Sequence, residues 1–231
     1  MSKNSFIISL TIKPLQGGTM RSMEVAGAAV LATVSVVLQA LPPIFVTPWF
    51  MRIDLVAVPW VVAWILFGFK ASLLSLAISI PIVGVLGPFA GGWVGAIMKA
   101  MASIWMILVP AFFSLKYGVE RLLANRLLYG VTVAASVAVR GVATVFLNLY
   151  FAIPVFFGMS LDQIIEFFSN PAFQSFLGLS LGLMGIWAAV GEIFFWNTVQ
   201  GIIDLYVSLA VGLAVARRLK GRFSTGKALH A

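Results

Sequence analysis

Apolar stretches of spanning length follow one another along nearly the whole chain, and this succession constrains the fold more than any motif. A helix needs about 20 apolar residues to cross the hydrocarbon core of a bilayer. Suitable runs extend from Met23 to Leu41, Leu55 to Phe69, Ala71 to Leu86, Gly92 to Leu115 and Leu127 to Ala152. Helix-stopping residues stand at their ends: Pro42-Pro43, Gly68, Gly87-Pro88 and Pro154. A last run, Phe176 to Ala216, has room for two helices, or for one helix behind a re-entrant or surface segment. With 61% hydrophobic and 10% charged residues, the chain lacks the charge that a soluble surface demands. The reading is an all-α integral membrane protein.

Lysine and arginine placement selects the topology, because cytoplasmic loops carry an excess of both. With six helices and both termini inside, the cytoplasmic face holds Lys3, Lys13, Arg21, Lys70, Lys116, Arg121, Arg126, Arg217, Arg218, Lys220, Arg222 and Lys227. The outside holds Arg52 alone, and Lys99 and Arg140 lie within helices. Seven helices would carry the C-terminal positive cluster outside. The expectation is therefore a compact six-helix bundle over 23–219, N-in and C-in, in the plasma membrane. An arm at 1–22 lies in the cytoplasm or on the membrane surface, with Met20 and Met23 as alternative starts, and a basic tail occupies 220–231. Gly178–Val190 is then a Gly-rich segment packed on the outer side.

Four polar residues fall inside these apolar runs: Lys99, Asn148, Asn197 and Gln200. At a rise of about 1.5 Å per residue, Lys99 lies roughly 10 Å below the outer surface and Asn148 roughly 6 Å below it. Asn197, Gln200 and Asp204 follow at i, i+3 and i+7, on one helix face. Buried polar groups in hydrocarbon are costly unless paired, and they mark functional sites. Agreement in depth across three helices points to an outward-facing pocket for a neutral ligand rich in hydrogen-bonding groups. Trp49, Trp93, Tyr150 and Trp196 lie at the same level and are candidates to stack on a flat ring. Arg140 is expected to pair with Asp204 or Glu24 as a structural ion pair outside the pocket. Ala28-x-x-x-Ala32 is a small-xxx-small pattern of the kind that lets another helix approach.

Other chemistries are constrained by what the chain lacks. There is no cysteine, and His230 is the only histidine, so thiolate and histidine catalysis are excluded. The net charge of +8 maps to loops and the C-terminus, which is membrane topology and argues against nucleic acid. A membrane enzyme of the lipid-headgroup transferase kind would need clustered acids at a membrane face. The seven acids are scattered, apart from Asp162 and Glu166 at i, i+4 in the loop after helix five, a pair that could bind a cation but reads more readily as a solvated helix face. No enzyme is expected, and no resident cofactor.

Several segments resemble the riboflavin-specific S components of energy-coupling factor (ECF) vitamin importers. Phe50-Met-Arg-Ile-Asp54-Leu-Val-Ala-Val-Pro59 is similar to the family's L-K-I-D-x-S-D-I-P entry to helix two. Gly92-Trp-Val-Gly-Ala-Ile-Met-Lys99 resembles G-x-x-G-A-x-x-N in helix four, and Asn148-Leu-Tyr-Phe-Ala-Ile-Pro154 resembles N-Y-Y-x-x-x-P ending helix five. Phe195-Trp-Asn197-Thr-Val-Gln200-Gly201-Ile-Ile resembles P-F-N-L-I-K-G-I-I in helix six. The matches run in order from about residue 22 to 219. The resemblance implies a subunit that captures riboflavin from outside and delivers it inward with a transmembrane coupling subunit and a pair of ABC-type ATPases. The chain itself has no G-x-x-x-x-G-K-[ST] loop. Asn148, Asn197 and Gln200 match positions at or near the vitamin site, with Lys99, Asp54, Trp93, Tyr150 and Trp196 as further binding candidates. Ala28 and Ala32 match a face of the first helix that docks the coupling subunit. The family's helix-six Lys is Gln200 here, its helix-four Asn is Lys99, and its Ser-Asp is Ala57-Val58. These departures bear on which ligand is bound, and an S component for another vitamin or small metabolite is the alternative.

Overall fold

The computed structural model describes residues 20–47, 49, 51–86, 92–170, 175–176, 179–180 and 183–228; side chains are described through residue 218 except in 175–180. The chain is mostly helical: α1 (Ser22–Ala40), α2 (Val58–Phe67), α3 (Phe69–Val85), α4 (Gly92–Ser103), α5 (Trp105–Tyr117), α6 (Val119–Ala124), α7 (Arg126–Leu147), α8 (Ile153–Phe157), α9 (Leu161–Ser169) and α10 (Ile186–Ala228). Two short hairpins, β1 (Phe45–Val46) with β2 (Arg52–Ile53) and β3 (Ser175–Phe176) with β4 (Leu179–Ser180), complete it. Among the described residues, four helical stretches are long and apolar enough to cross a membrane: Ser22–Ala40, Gly92–Tyr117, Arg126–Phe157 and Ile186–Arg218. Val58–Phe67 and Phe69–Val85 are shorter apolar helices.

Local chemistry explains the boundaries. The carboxylate of Glu24 accepts from the Arg21 backbone N–H at 3.1 Å and from Arg21 Nε at 2.8 Å, closing the first turn of α1. Pro42-Pro43 follows its end, since proline has no N–H to continue a helix. Gly68, at φ +93°, makes the one-residue turn between α2 and α3, where a Cβ would be strained. Pro154 displaces the carbonyl four residues back, and the chain before it loosens into a π-helical turn, Asn148–Ala152.

Helices close in sequence pack against one another. α1 packs on α2 and α3, α3 on α4, and α7 and α10 form the most extensive pair. α7 and α10 run antiparallel: Tyr129 Oη donates to the Leu205 carbonyl at 2.7 Å, while Gly141 faces Phe194. Lipid supplies no hydrophobic drive between helices, so close packing at small residues matters. A Cβ at Gly27 would lie 2.4 Å from the Phe67 ring, and one at Gly141 2.5 Å from that of Phe194. One apolar core, including Trp60, Trp64, Met106, Ile107, Leu122 and Leu205, fills the half of the bundle holding the α2–α3 turn. A second, including Trp49, Ile164, Phe168, Ile193 and Trp196, lies at the opposite end, under α9. Arg21, Lys70, Lys116, Arg121 and Arg126 belong to helix ends on the α2–α3 turn side, and Arg217 and Arg218 lie in the C-terminal part of α10.

Three expectations need correction. Asp162 and Glu166 lie on a helix, α9, where Ser160 caps the first turn by accepting from Gln163 N–H. The last helix begins at Ile186 rather than near Glu192, so Ile186–Val190 is helical and not part of a Gly-rich packing segment. Gly178 and residues 181–182 lie outside the described residues, as does the arm over 1–19. Backbone helix continues to Ala228, through most of the expected tail.

Candidate functional site

A cavity of about 970 Å³ opens among the ends of α1, α4, α7, α8 and α10, beneath the β1–β2 hairpin. This volume is at the upper end of the roughly 300–1,000 Å³ typical of small-molecule sites. Its rim and walls include Leu41, Pro42, Pro43, Val46, Trp49, Met51 and Arg52 from the hairpin side, and Ile153, Phe156 and Phe157 from α8. Its interior carries Asp54, Lys99, Arg140, Thr144, Asn148, Asn197, Gln200 and Asp204. All four polar residues first singled out in the sequence therefore meet here, together with Asp54.

The polar side chains form one connected belt across four helices and the hairpin. Lys99 Nζ pairs directly with the Asp54 carboxylate and donates to Gln39 Oε1 at 3.0 Å. Asp54 is held from behind: its backbone N–H donates to Gln200 Oε1 at 3.0 Å, and Gln200 Nε2 donates back to its carbonyl at 2.7 Å. Asp54 Oδ1 also accepts from Val56 N–H at 3.1 Å, a local turn that delivers the chain into α2. Gln200 Nε2 further donates to Asp204 Oδ1 at 2.7 Å, and Arg140 donates to Asp204 Oδ2 at 2.9 Å. Arg140 Nε reaches Asn197 Oδ1 at 3.4 Å, and Asn197 Nδ2 donates to the Ile193 carbonyl at 2.9 Å. Asn148 donates to the Thr144 carbonyl at 2.8 Å, and the π-helical turn begins at this residue. Two ion pairs, Lys99–Asp54 and Arg140–Asp204, thus neutralise each other's charge in a buried setting where an isolated ion would be expensive.

The aromatic expectations divide. Trp49 lines the cavity, its ring edge-on to Phe168 at 5.7 Å. Trp93 does not: it is 53% exposed, with its ring over Gly84 on the outside of the bundle. Tyr150 is 65% exposed and stacks on Phe146, also outward. Trp196 is buried beside the cavity, where it stacks on Phe45 of the hairpin at 5.1 Å and donates to Glu192 Oε2 at 3.0 Å. It supports the hairpin and does not line the cavity.

Two further expectations are revised. Arg140 does pair with Asp204, but it also lines the cavity and belongs to the site. Ala28 and Ala32, at 0% and 1% exposure, lie on the buried stripe of α1 with Ser35 and Gln39, so they pack the bundle and present no docking face. Sequence reasoning missed Gln39, which holds Lys99 from α1. Its signal was present, since it extends the Ala28, Ala32, Ser35 stripe at helical spacing. Among the described residues no group of three or more His, Cys, Asp or Glu side chains is arranged to hold a metal ion.

Comparison with family models, with curated proteins and with solved structures returns no match to this chain.

Proposed function

We propose that this protein is the substrate-capture subunit of an ECF-type vitamin importer, with riboflavin as its ligand. The observation that carries the reading is the cavity. It sits at one end of an apolar helical bundle, and its polar interior includes Asn148, Asn197 and Gln200, the residues the motif resemblance puts at or near the vitamin site. The basic residues at the helix ends belong to the opposite side, as a cytoplasmic face requires. Counting the two shorter apolar helices, the bundle makes six passes, N-in and C-in, in the plasma membrane. The cavity would then open outward, with Trp49 against the flavin ring and polar contacts from Lys99, Arg140, Asn148 and Asn197 to its carbonyls and ribityl hydroxyls. Energy for release would come from a separate coupling subunit and ABC-type ATPases. With Ala28 and Ala32 inside the bundle, any docking face on α1 must lie elsewhere on that helix.

A second reading, an S component for another vitamin or small metabolite, is favoured by one observation. Lys99, where the family motif has Asn, is committed to an ion pair with Asp54 inside the cavity.

The test is the visible spectrum of the purified protein, followed by titration with riboflavin monitored by quenching of flavin fluorescence. Bound flavin, or saturable quenching at nanomolar concentration, is expected. Colourless protein that leaves riboflavin fluorescence unchanged after washing would reject the flavin assignment.

A further inference from the structure

One buried acid stands apart from the polar belt. Glu192, near the start of α10, is 3% exposed, and among the described residues it makes no ion pair. A carboxylate withdrawn from water without a countercharge is costly, and such groups within a membrane bundle are retained for a role. Its Oε2 accepts from Trp196 Nε1 at 3.0 Å. The indole N–H of Trp49 faces the same carboxylate without completing a hydrogen bond, and has no other partner among the described residues. Glu192 thereby reaches the β1–β2 hairpin by two routes. Trp49 lies between the two strands and lines the cavity, while Trp196 stacks on Phe45 of β1 at 5.1 Å. The chemistry of the partners explains why an acid stands here. An indole N–H only donates, and an ionised carboxylate only accepts, at both of its oxygens. Glutamine has the same shape, but serving one indole with its oxygen would set its NH2 group against the other.

We propose that Glu192 is a positioning residue of the binding site: its carboxylate fixes the Trp49 ring on the cavity wall, and so sets how long a bound ligand is held. Glu192 does not line the cavity and acts through Trp49. The only other ring contact that orients Trp49 is edge-on, with Phe168 at 5.7 Å, and it leaves the indole N–H without direction. The retention half of the proposal rests on the cavity being the riboflavin site. The placement of Trp49 does not, since it is a property of the ligand-free protein.

The test uses the full chain in nanodiscs and has two readouts. The first is 19F NMR of ligand-free protein labelled with 5-fluorotryptophan, in which Trp49→Phe assigns the Trp49 resonance. A single sharp Trp49 line is expected in the parent, and a line split or broadened by several ring orientations in Glu192→Gln. The second is the rate of riboflavin release, followed as flavin fluorescence recovers after dilution. Release should quicken at least fivefold in Glu192→Gln and in Trp49→Phe, which keeps an aromatic ring but loses the N–H. Adding Glu192→Gln to Trp49→Phe should then change the rate less than twofold, because nothing is left for Glu192 to act through. A thermal melt accompanies each variant. If Glu192→Gln fails to fold, Glu192→Asp, which keeps the charge but withdraws it by one methylene, replaces it. A Trp49 line unchanged by the substitution, an unchanged release rate, or the same acceleration in both backgrounds would overturn the proposal. A disturbed Trp49 line in a protein that does not bind riboflavin would reject the flavin reading and leave the placement of Trp49 standing. Riboflavin binding with an undisturbed Trp49 line would do the reverse.

Discussion

Removing both members of the Arg140–Asp204 pair should cost well short of the sum of removing each alone. The two side chains are 3% and 0% exposed, and their 2.9 Å contact is flanked by Gln200 on one side and Asn197 on the other. Asp204→Asn keeps the volume but leaves the guanidinium without its countercharge. Breaking a buried pair in this way costs about 3–5 kcal/mol. The cavity beside Arg140 admits some solvation, which places the loss near the lower end, about 3 kcal/mol. Arg140→Met strands the carboxylate instead, but Gln200 still donates to it, so a similar or slightly smaller loss is expected. In the double variant Asp204→Asn/Arg140→Met neither charge remains. Its loss should fall short of the summed single losses by at least about 1.5 kcal/mol, within the range found for directly interacting residues. For a chain of this size each kcal/mol moves the midpoint by about 2–4 °C, so each single variant should melt on the order of 6–12 °C lower. Thermal unfolding of ligand-free protein in one detergent, with the four proteins side by side, measures the cycle. Additive losses, or single losses below about 1 kcal/mol, the ceiling for exposed pairs, would show that the pair contributes no coupling.

The glycines of α7 give an opposed pair of predictions. Gly141→Ala places a Cβ 2.5 Å from the Phe194 ring and should destabilise by about 1–3 kcal/mol, whereas Gly130→Ala meets nothing within 4 Å and should stabilise by about 0.5–1 kcal/mol. Melting temperatures of the two variants moving in the same direction would contradict the packing described for α7 and α10. Ala32→Leu forces extra volume into the buried stripe of α1 and should lower stability by about 1–3 kcal/mol. An unchanged melt combined with loss of a copurifying coupling subunit would return Ala32 to a docking face.

Depth was legible in the sequence; direction around each helix was not. Pro42-Pro43 and Gly68 announced the ends of α1 and α2, whereas the helix expected to stop before Pro154 runs through it to Phe157, with only a π-helical turn ahead of the proline. Position along a helix also correctly brought Lys99, Asn148, Asn197 and Gln200 to one level, where they line one cavity. Each residue, however, turns the side chain by about 100°, and apolar residues surround these helices on all sides, so no hydrophobic stripe marks the inward face. Trp93 and Tyr150 have the right height and point outward. Tyr150 lies inside the π-helical turn, where the extra residue per turn shifts the facing of everything around it. Arg140 was visible as a mid-helix cation, and its Asp204 partner was named. Its exposure to the cavity depends on how α7 and α10 are rotated against each other, which spacing along one helix does not reveal. Ala28 and Ala32 failed for the same reason: a small-residue pattern permits close approach without saying which helix approaches.

The brevity of α2 has a consequence for what kind of vessel this molecule is. Ten residues rise only about 15 Å, and the turn at Asp54–Ala57 that starts the helix meets the cavity floor. Below it, Trp60, Trp64, Met106, Ile107 and Leu122 are all but inaccessible and close the rest of the bundle. The protein is a cup with a solid base and not a tube. Whatever enters such a cup must leave by the mouth it came in through, unless the packed base itself rearranges.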